Sequence, residues 1–332
     1  MEEDSNLEKI TDTIGDLVTG VPAPIRKNFF KAFGQLCTAA VDVPVAHLES
    51  KSKEIRAASE ARVKILEREA QQISEKLQVP EEYVTKASEK FASKIVREQL
   101  NLDQIAAHAA TNLNEKDFSE EEQTNEEEIS DDWLNEFENF AKNKSSDDMK
   151  IIFGKILSGE IVKPGSFSIR TLRIISQLDN QAAKLFQTFC SQAVSLKAGA
   201  HLLDARVVSL NGNAASNSLT PYGLPFNSLN ILHEYGLIIS DYNSWMNYNP
   251  CIADENNKVR AILEIQGIQY GLVPTDKEKY DKILKLSGVA LTKAGKELLK
   301  IIPFNDASKY RTALDEFLKN KHLEIVKLDN PQ

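Results

Sequence analysis

The sequence predicts a mainly α-helical chain, with an amphipathic N-terminal helix, long helices, a helical module and a C-terminal winged-helix-like α+β domain. Three observations carry this expectation. Apolar residues recur at helical spacing over most of the chain before residue 200, and a charged run from Leu48 to Leu77 carries a heptad-like seam. The last third then changes to short β-prone runs punctuated by glycine. The boundaries read as 1–47 for the N-terminal helix region, 48–113 for a helical arm or hairpin, and 114–130 for an acidic linker. The helical module follows at 131–200 and the winged-helix-like domain at 201–332.

The first element is "PAPIRKNFFKAFGQLCTAAVDVPVAHL". Pro22 and Pro24 can open a helix, and Pro44 breaks or kinks its far end. Lys31, Gln35, Thr38 and Asp42 form one narrow polar stripe, and nearly everything else is apolar or small. Two readings fit so wide an apolar arc. A membrane-interface or partner-binding helix would use Phe29, Phe30, Phe33 and Leu36 as its inserting face, with Lys31 among the basic residues beside it. A helix buried in a bundle or an oligomer interface would show the same pattern.

From Leu48 to Leu77 the chain reads as one long charged helix, about 45 Å at 1.5 Å per residue. Leu48, Ile55, Leu66, Ile73 and Leu77 form its seam, which no single helix can bury alone. The next segment opens at Pro80 and places Tyr83, Ala87, Phe91, Ile95 and Ile105 along one side. An antiparallel hairpin and a self-associating coiled coil both satisfy the pattern, so a homo-oligomer is expected. Acidic residues nearly match basic ones on this arm, which argues against a nucleic-acid-binding stripe.

Residues 114–132 hold ten carboxylates against one lysine. Self-repulsion of such a block predicts a solvated linker, and the residue order lacks the Asp-x-Asp-x-Asp-Gly pattern of a calcium loop. Beyond it, Trp133, Phe137 and Phe140 share one helix face, and Met149, Ile152, Phe153, Ile156 and Leu157 share another. "SSDD" supplies an N-cap with acids in the first turn, and Gly159 is placed to end that helix. "KPGS" turns the chain, "SIRTLRIISQL" makes a third helix, and "DNQAAKLFQTFCSQAV" a fourth with Asp179 as cap. Glu160 near a helix end, with Arg170 and Arg173, predicts an ion-pair cluster.

The stretch from "DDWLNEF" through "FGKILSGEIVKPGSFSIRTLRIISQLDNQAAKLF" resembles a bacterial family defined by a domain of unknown function, number 2806. More distantly it is similar to the abortive-infection Abi-alpha proteins, through a "(W/F)-x-x-(L/I)-L-x-x-E" helix, a Pro-containing turn and an "L-(S/D)-x-x-A" helix. Glu160 and Pro164 fit both patterns, while Phe153 stands where the distant relatives tend to have Trp. The resemblance implies a helical module followed by a winged-helix-like segment, an association with phage defence, and no catalytic residue.

In the last third, "LNILHEYGLIISDY" gives a helix with Leu229, Leu232 and His233, a Gly236 cap and then a strand. Further strands are expected in "RVVSLN", "RAILEIQGIQYGLV" and "SGVALT", with "TKAGKELLKII" as a helix capped by Thr292. A DNA-binding use would rest on Asn227 and Asn230 at the helix start and on Lys258 and Arg260 beyond it. No Lys or Arg lies between Arg206 and Lys258, so a protein-interaction module is the favoured reading and a DNA-binding regulator the alternative. His233 reads as a partly buried core histidine.

The chemistry is bounded by what the spacing lacks. Forty basic and 49 acidic residues give a formal charge of −9, poorly suited to general polyanion binding. Cys37, Cys190 and Cys251 form no CxxC pair, and no phosphate cradle, nucleophile elbow or zinc helix occurs. The expectation is therefore a non-enzymatic bacterial interaction protein with no catalytic residue, metal or cofactor. The acidic start and the lack of a long apolar run suggest a cytoplasmic protein, at most peripheral to the inner membrane. Its expected partners are a second copy and a further protein, with the membrane surface as another option.

Overall fold

A computed structural model describes residues 18, 20–37, 79–212, 216–276, 278–280 and 283–328. The predicted seam of Leu48, Ile55, Leu66, Ile73 and Leu77 lies outside the described residues. The chain divides into two compact units, Met1–Leu172 and Arg173–Gln332.

The first unit is helical. Its elements are α1 (Ala23–Leu36), α2 (Glu81–Asn114), α3 (Glu120–Thr124), α4 (Asp131–Ala141) and α5 (Asp147–Val162), and α6 (Ile169–Gln177) begins within it. Local chemistry sets several of these ends. Pro22 precedes α1, Pro80 precedes α2, and Ser119 with Glu122 closes a capping box at α3. Asp131 and Asp132, then Asp147 and Asp148, place carboxylates in the first turns of α4 and α5, where the helix dipole favours them.

The core of this unit forms where the second half of α2 lies along α5. Ile105, Ala109 and Leu113 are buried there, as are Phe153, Ile156 and Leu157. A Cβ on Gly154 would stand 2.6 Å from His108 Cβ, so glycine is what lets the two helices approach this closely. Trp133 stacks on Phe137 at 5.0 Å between ring centres, and Phe137 meets Phe153 at 5.6 Å. Gly159, expected to end α5, lies inside it, and its missing side chain makes room for the Phe167 ring, 2.7 Å from where a Cβ would be.

The acidic stretch contributes to this unit through apolar and backbone groups more than through charge. Ile129 is fully buried, and its N–H is accepted by Asn28 Oδ1 at 3.0 Å. Asn28 Nδ2 donates to Glu127 O at 2.9 Å and to Ile161 O at 3.2 Å, so one buried amide on α1 joins the acidic stretch to the end of α5. Lys27–Glu128, Lys31–Asp131 and Lys163–Glu121 pair at the surface, where such bridges are worth only about 0–1 kcal/mol each.

The second unit corrects the predicted fold class. After α7 (Asn180–Gln192) come β1 (Val194–Ala198), β2 (His201–Val208), α8 (Phe226–Glu234), β3 (Ile238–Ile239) and β4 (Trp245–Asn247). Then follow β5 (Ile262–Ile265), β6 (Ile268–Pro274), β7 (Lys285–Leu291), α9 (Lys293–Leu299), α10 (Ser308–Lys319) and β8 (Leu323–Lys327). These strands make one eight-stranded sheet in the order β3-β7-β2-β1-β5-β6-β8, with β4 also on β7. Every pairing between them is antiparallel.

The chain is thus a helical unit followed by an α+β unit, neither mainly α nor winged-helix-like. A winged helix hangs a small hairpin on a helical core, whereas here β1 and β2 sit in the middle of a broad sheet. The register Val194↔Arg206 and Val194↔Ile265 fixes β1 between two partners. "VSLKA" follows α7 with only Ala193 between them, so helical periodicity had absorbed its first residue into that helix.

A buried polar lock ties β2 and β7 to the residues on either side of β4. Arg206, 3% exposed, donates to both Asp204 oxygens at 2.6 and 3.0 Å, and also to Ser244 O and Leu286 O. Tyr248 donates its hydroxyl to Asp204 Oδ2 at 2.9 Å. With its charge paired and its donors aimed at carbonyls, the guanidinium is a structural clamp.

Candidate interaction surface

The long helix α2 changes character along its length. Leu102, Ile105, Ala109 and Leu113 are buried in its second half, while in its first half Tyr83 is 65% exposed, Phe91 63% and Ile95 45%. Ala87, also exposed, completes a stripe at four-residue steps. Lys86–Glu82 and Lys94–Glu98 flank it as i,i+4 pairs. The exposed half rises about 27 Å at 1.5 Å per residue and carries large apolar groups at partner-seeking spacing. Ile105, read from the sequence as part of the same stripe, belongs to the core instead.

The apolar arc of α1 is placed differently. Phe29, Phe33 and Leu36 are buried against α5, α2 and α4, whereas Phe30 is half-buried, its ring edge-on to Phe29 at 5.9 Å between ring centres. Lys31 donates to Ile129 O at 2.8 Å in addition to its pairing with Asp131. The side chains named as an inserting face therefore help build the helical core.

At the end of α1, Gln99 Nε2 donates to Leu36 O at 3.0 Å and to Asp103 Oδ1 at 2.9 Å. Loss of solvent raises the Asp103 carboxyl above its ordinary value of 3.8, although hydrogen bonds from Gln99 and the Cys37 thiol pull the other way. A raised folded-state pKa means that stability from this group is full below the unfolded value and is lost as pH rises through the folded one. Asp103→Asn is accordingly expected to raise the thermal midpoint of the helical unit at pH 7 and to leave it unchanged near pH 3. A lower midpoint at pH 7 would count against the buried-carboxylate account.

The residues named for DNA contact are exposed but not gathered. Asn227 and Asn230 lie on α8, which packs on α7 and on β3 at one end of the sheet order. Lys258 and Arg260 lie on a turn held by Asp254 Oδ1, which accepts the Asn256 and Lys258 N–H groups, and that turn leads into β5 towards the other end. His233 is exposed rather than part of the core, with Nδ1 3.2 Å from Ile238 O.

All three cysteines are buried and free. Burial pushes the Cys37 and Cys190 thiols well up and the Cys251 thiol up to about 12, so they stay protonated and unreactive at neutral pH. Among the described residues no group of three or more His, Cys, Asp or Glu side chains could hold a metal ion. No helix among them is long and apolar enough to cross a membrane.

Glu160 has a role that spacing did not suggest. Its Oε1 accepts the Gly165 N–H at 2.7 Å and its Oε2 the Phe167 N–H at 2.9 Å, while Trp133 Nε1 donates to Phe167 O at 2.6 Å. The carboxylate thus holds backbone donors of the "KPGSF" turn, where an ion-pair cluster with Arg170 and Arg173 had been expected. The family model described as Protein of unknown function (DUF2806) matches residues 85–315, which include this turn. The chain belongs to that family. The DUF2806 region begins inside α2, takes in Phe91 and Ile95 of the exposed stripe, and runs into α10. Comparison with curated proteins and with solved structures returns no match.

Proposed function

We propose that this DUF2806 chain is an interaction protein that assembles with a second copy of itself through its helical arm. The observation that carries the proposal is the Tyr83–Ala87–Phe91–Ile95 stripe on α2, all four of whose residues are exposed. Three large apolar side chains in one row favour leaving water, at about 25 cal/mol per Å² buried. The heptad sequence of residues 48–77 precedes α2 with only Gln78 and Val79 before Pro80, so a second copy would offer both seams together. A role in phage defence, implied by the abortive-infection resemblance, is part of the same proposal.

Light scattering on the purified full chain is expected to give a multiple of the 37.1 kDa chain mass. The Phe91→Glu/Ile95→Glu double variant is expected to give the single-chain mass with an unchanged far-ultraviolet spectrum, since both residues are solvent-facing. A parent that is monomeric, or a double variant that keeps the parent's mass, rules self-assembly through this stripe out. In cells challenged with phage, the defence role predicts fewer plaques with the parent than with the double variant.

A further inference from the structure

One cavity of the second unit, about 310 Å³, combines a paired charge, an unused hydroxyl and an apolar wall. Ser195 and Lys197 alternate on β1 and so share one face, and Ser195 stands opposite Glu264 on β5. Lys197 Nζ meets Glu264 Oε2 at 2.6 Å. The Ser195 residue is 3% exposed, and its hydroxyl makes no hydrogen bond among the described residues. Leu202 from β2, Leu299 from α9 and Phe304 line the remaining wall, and Lys300 stands exposed at the rim.

The wall that carries Phe304 is held in place before any ligand arrives. Gln187 Nε2 donates to Pro303 O at 3.1 Å, Ser191 Oγ accepts the Asn305 N–H at 2.8 Å, and Gln266 Nε2 donates to Asn305 O at 2.9 Å. Two side chains of α7 and one from the turn between β5 and β6 thus fix residues 303–305, and Phe304 nevertheless remains 38% exposed at the cavity. A preformed apolar wall with few polar groups is the usual build of a small-ligand site, and this volume is at the small end of the roughly 300–1,000 Å³ range.

We propose that this cavity binds a small zwitterion with an apolar side chain, of the α-amino-acid class. An anion alone at Lys197 would take the ammonium from Glu264, and a cation alone at Glu264 would take the carboxylate from Lys197. Either way one part-buried charge loses its partner, which is costly. A ligand carrying both charges on one carbon keeps both paired. Its carboxylate faces Lys197 and the Ser195 hydroxyl, its ammonium faces Glu264, and its side chain meets Leu202, Leu299 and Phe304.

Calorimetric titration of the full chain with L-leucine, L-methionine and L-phenylalanine tests this. At least one is expected to bind, with the matching deaminated acid and decarboxylated amine weaker by about tenfold or more. Lys197→Met is expected to abolish the signal. Phe304→Ala, at an exposed position where folding is not at stake, is expected to weaken binding by about tenfold, roughly 1.4 kcal/mol. The assignment is overturned if none of the three binds with a dissociation constant of about 10 mM or below. It is equally overturned if the acid or the amine binds as tightly as the amino acid, or if both variants bind as the parent does.

Discussion

Glu160→Ala is expected to lower the unfolding free energy of the helical unit by about 3–5 kcal/mol. The carboxylate is 2% exposed and accepts two backbone N–H groups, each charge-assisted bond being worth about 1.5–3 kcal/mol. Alanine leaves the Phe167 donor buried without its acceptor, and it also frees the turn that positions the Phe167 carbonyl against Trp133. Against a typical total of about 5–15 kcal/mol, this is a large fraction. Glu160→Gln keeps one acceptor oxygen and is expected to lose about half as much. Urea unfolding followed by tryptophan fluorescence reads this directly, because Trp133 and Trp245 are the only tryptophans and lie one in each unit. In a Trp245→Phe background the signal belongs to the helical unit alone. A loss below about 1 kcal/mol would reduce Glu160 to an ordinary surface-pair contribution and defeat the argument.

Gly295→Ala is the second large effect, expected to cost the α+β unit about 3 kcal/mol or more. A Cβ there would lie 2.2 Å from the Leu237 carbonyl oxygen, a backbone atom that cannot rotate away. The same corner is fastened by Thr292, whose hydroxyl accepts the Gly295 N–H and donates to Gly236 O, and whose N–H donates to Leu237 O. Alanine would gain about 1 kcal/mol of helix propensity and lose more through overpacking. Gly34→Ala provides the control, because a Cβ on that α1 residue meets nothing within 4 Å. It is expected to stabilise by about 0.5–1 kcal/mol. If the two substitutions shift their units alike, close backbone approach is not what requires glycine at 295.

Local signals in the sequence placed several elements correctly. Asp179 accepts the Ala182 N–H as the expected cap of α7, Thr292 caps α9, and Gly236 takes a left-handed conformation after α8. Each depends on residues within one turn, which a linear reading can weigh. Strands were expected in the runs that form β2, β3, β5, β6 and β7, whereas β1, β4, β8 and the pairing order were illegible for the opposite reason. β1 is recognised by its pairing with Arg206 and Ile265, and β8 by pairings such as Gly271↔Val326, which no local window contains. The stripe on α2 was half legible. Periodicity put Tyr83, Phe91, Ile95 and Ile105 on one side, but which of them is covered depends on α5, which lies far along the chain. Glu160 was singled out as a residue, yet its role needed the path of the turn at Gly165 and Phe167.

The strand order has a consequence for the chain as it is made. β2 ends at Val208, and the strand that covers its open edge, β7, begins only at Lys285. At ordinary ribosomal speed the intervening residues take on the order of ten seconds to synthesise. Throughout that interval the β1–β2 hairpin presents a bare row of amide and carbonyl groups on its β2 edge, with apolar Val207 beside it. The nascent sheet is a template waiting for its own later segment, and a pause in translation between these two strands prolongs the time in which another polypeptide can take that place.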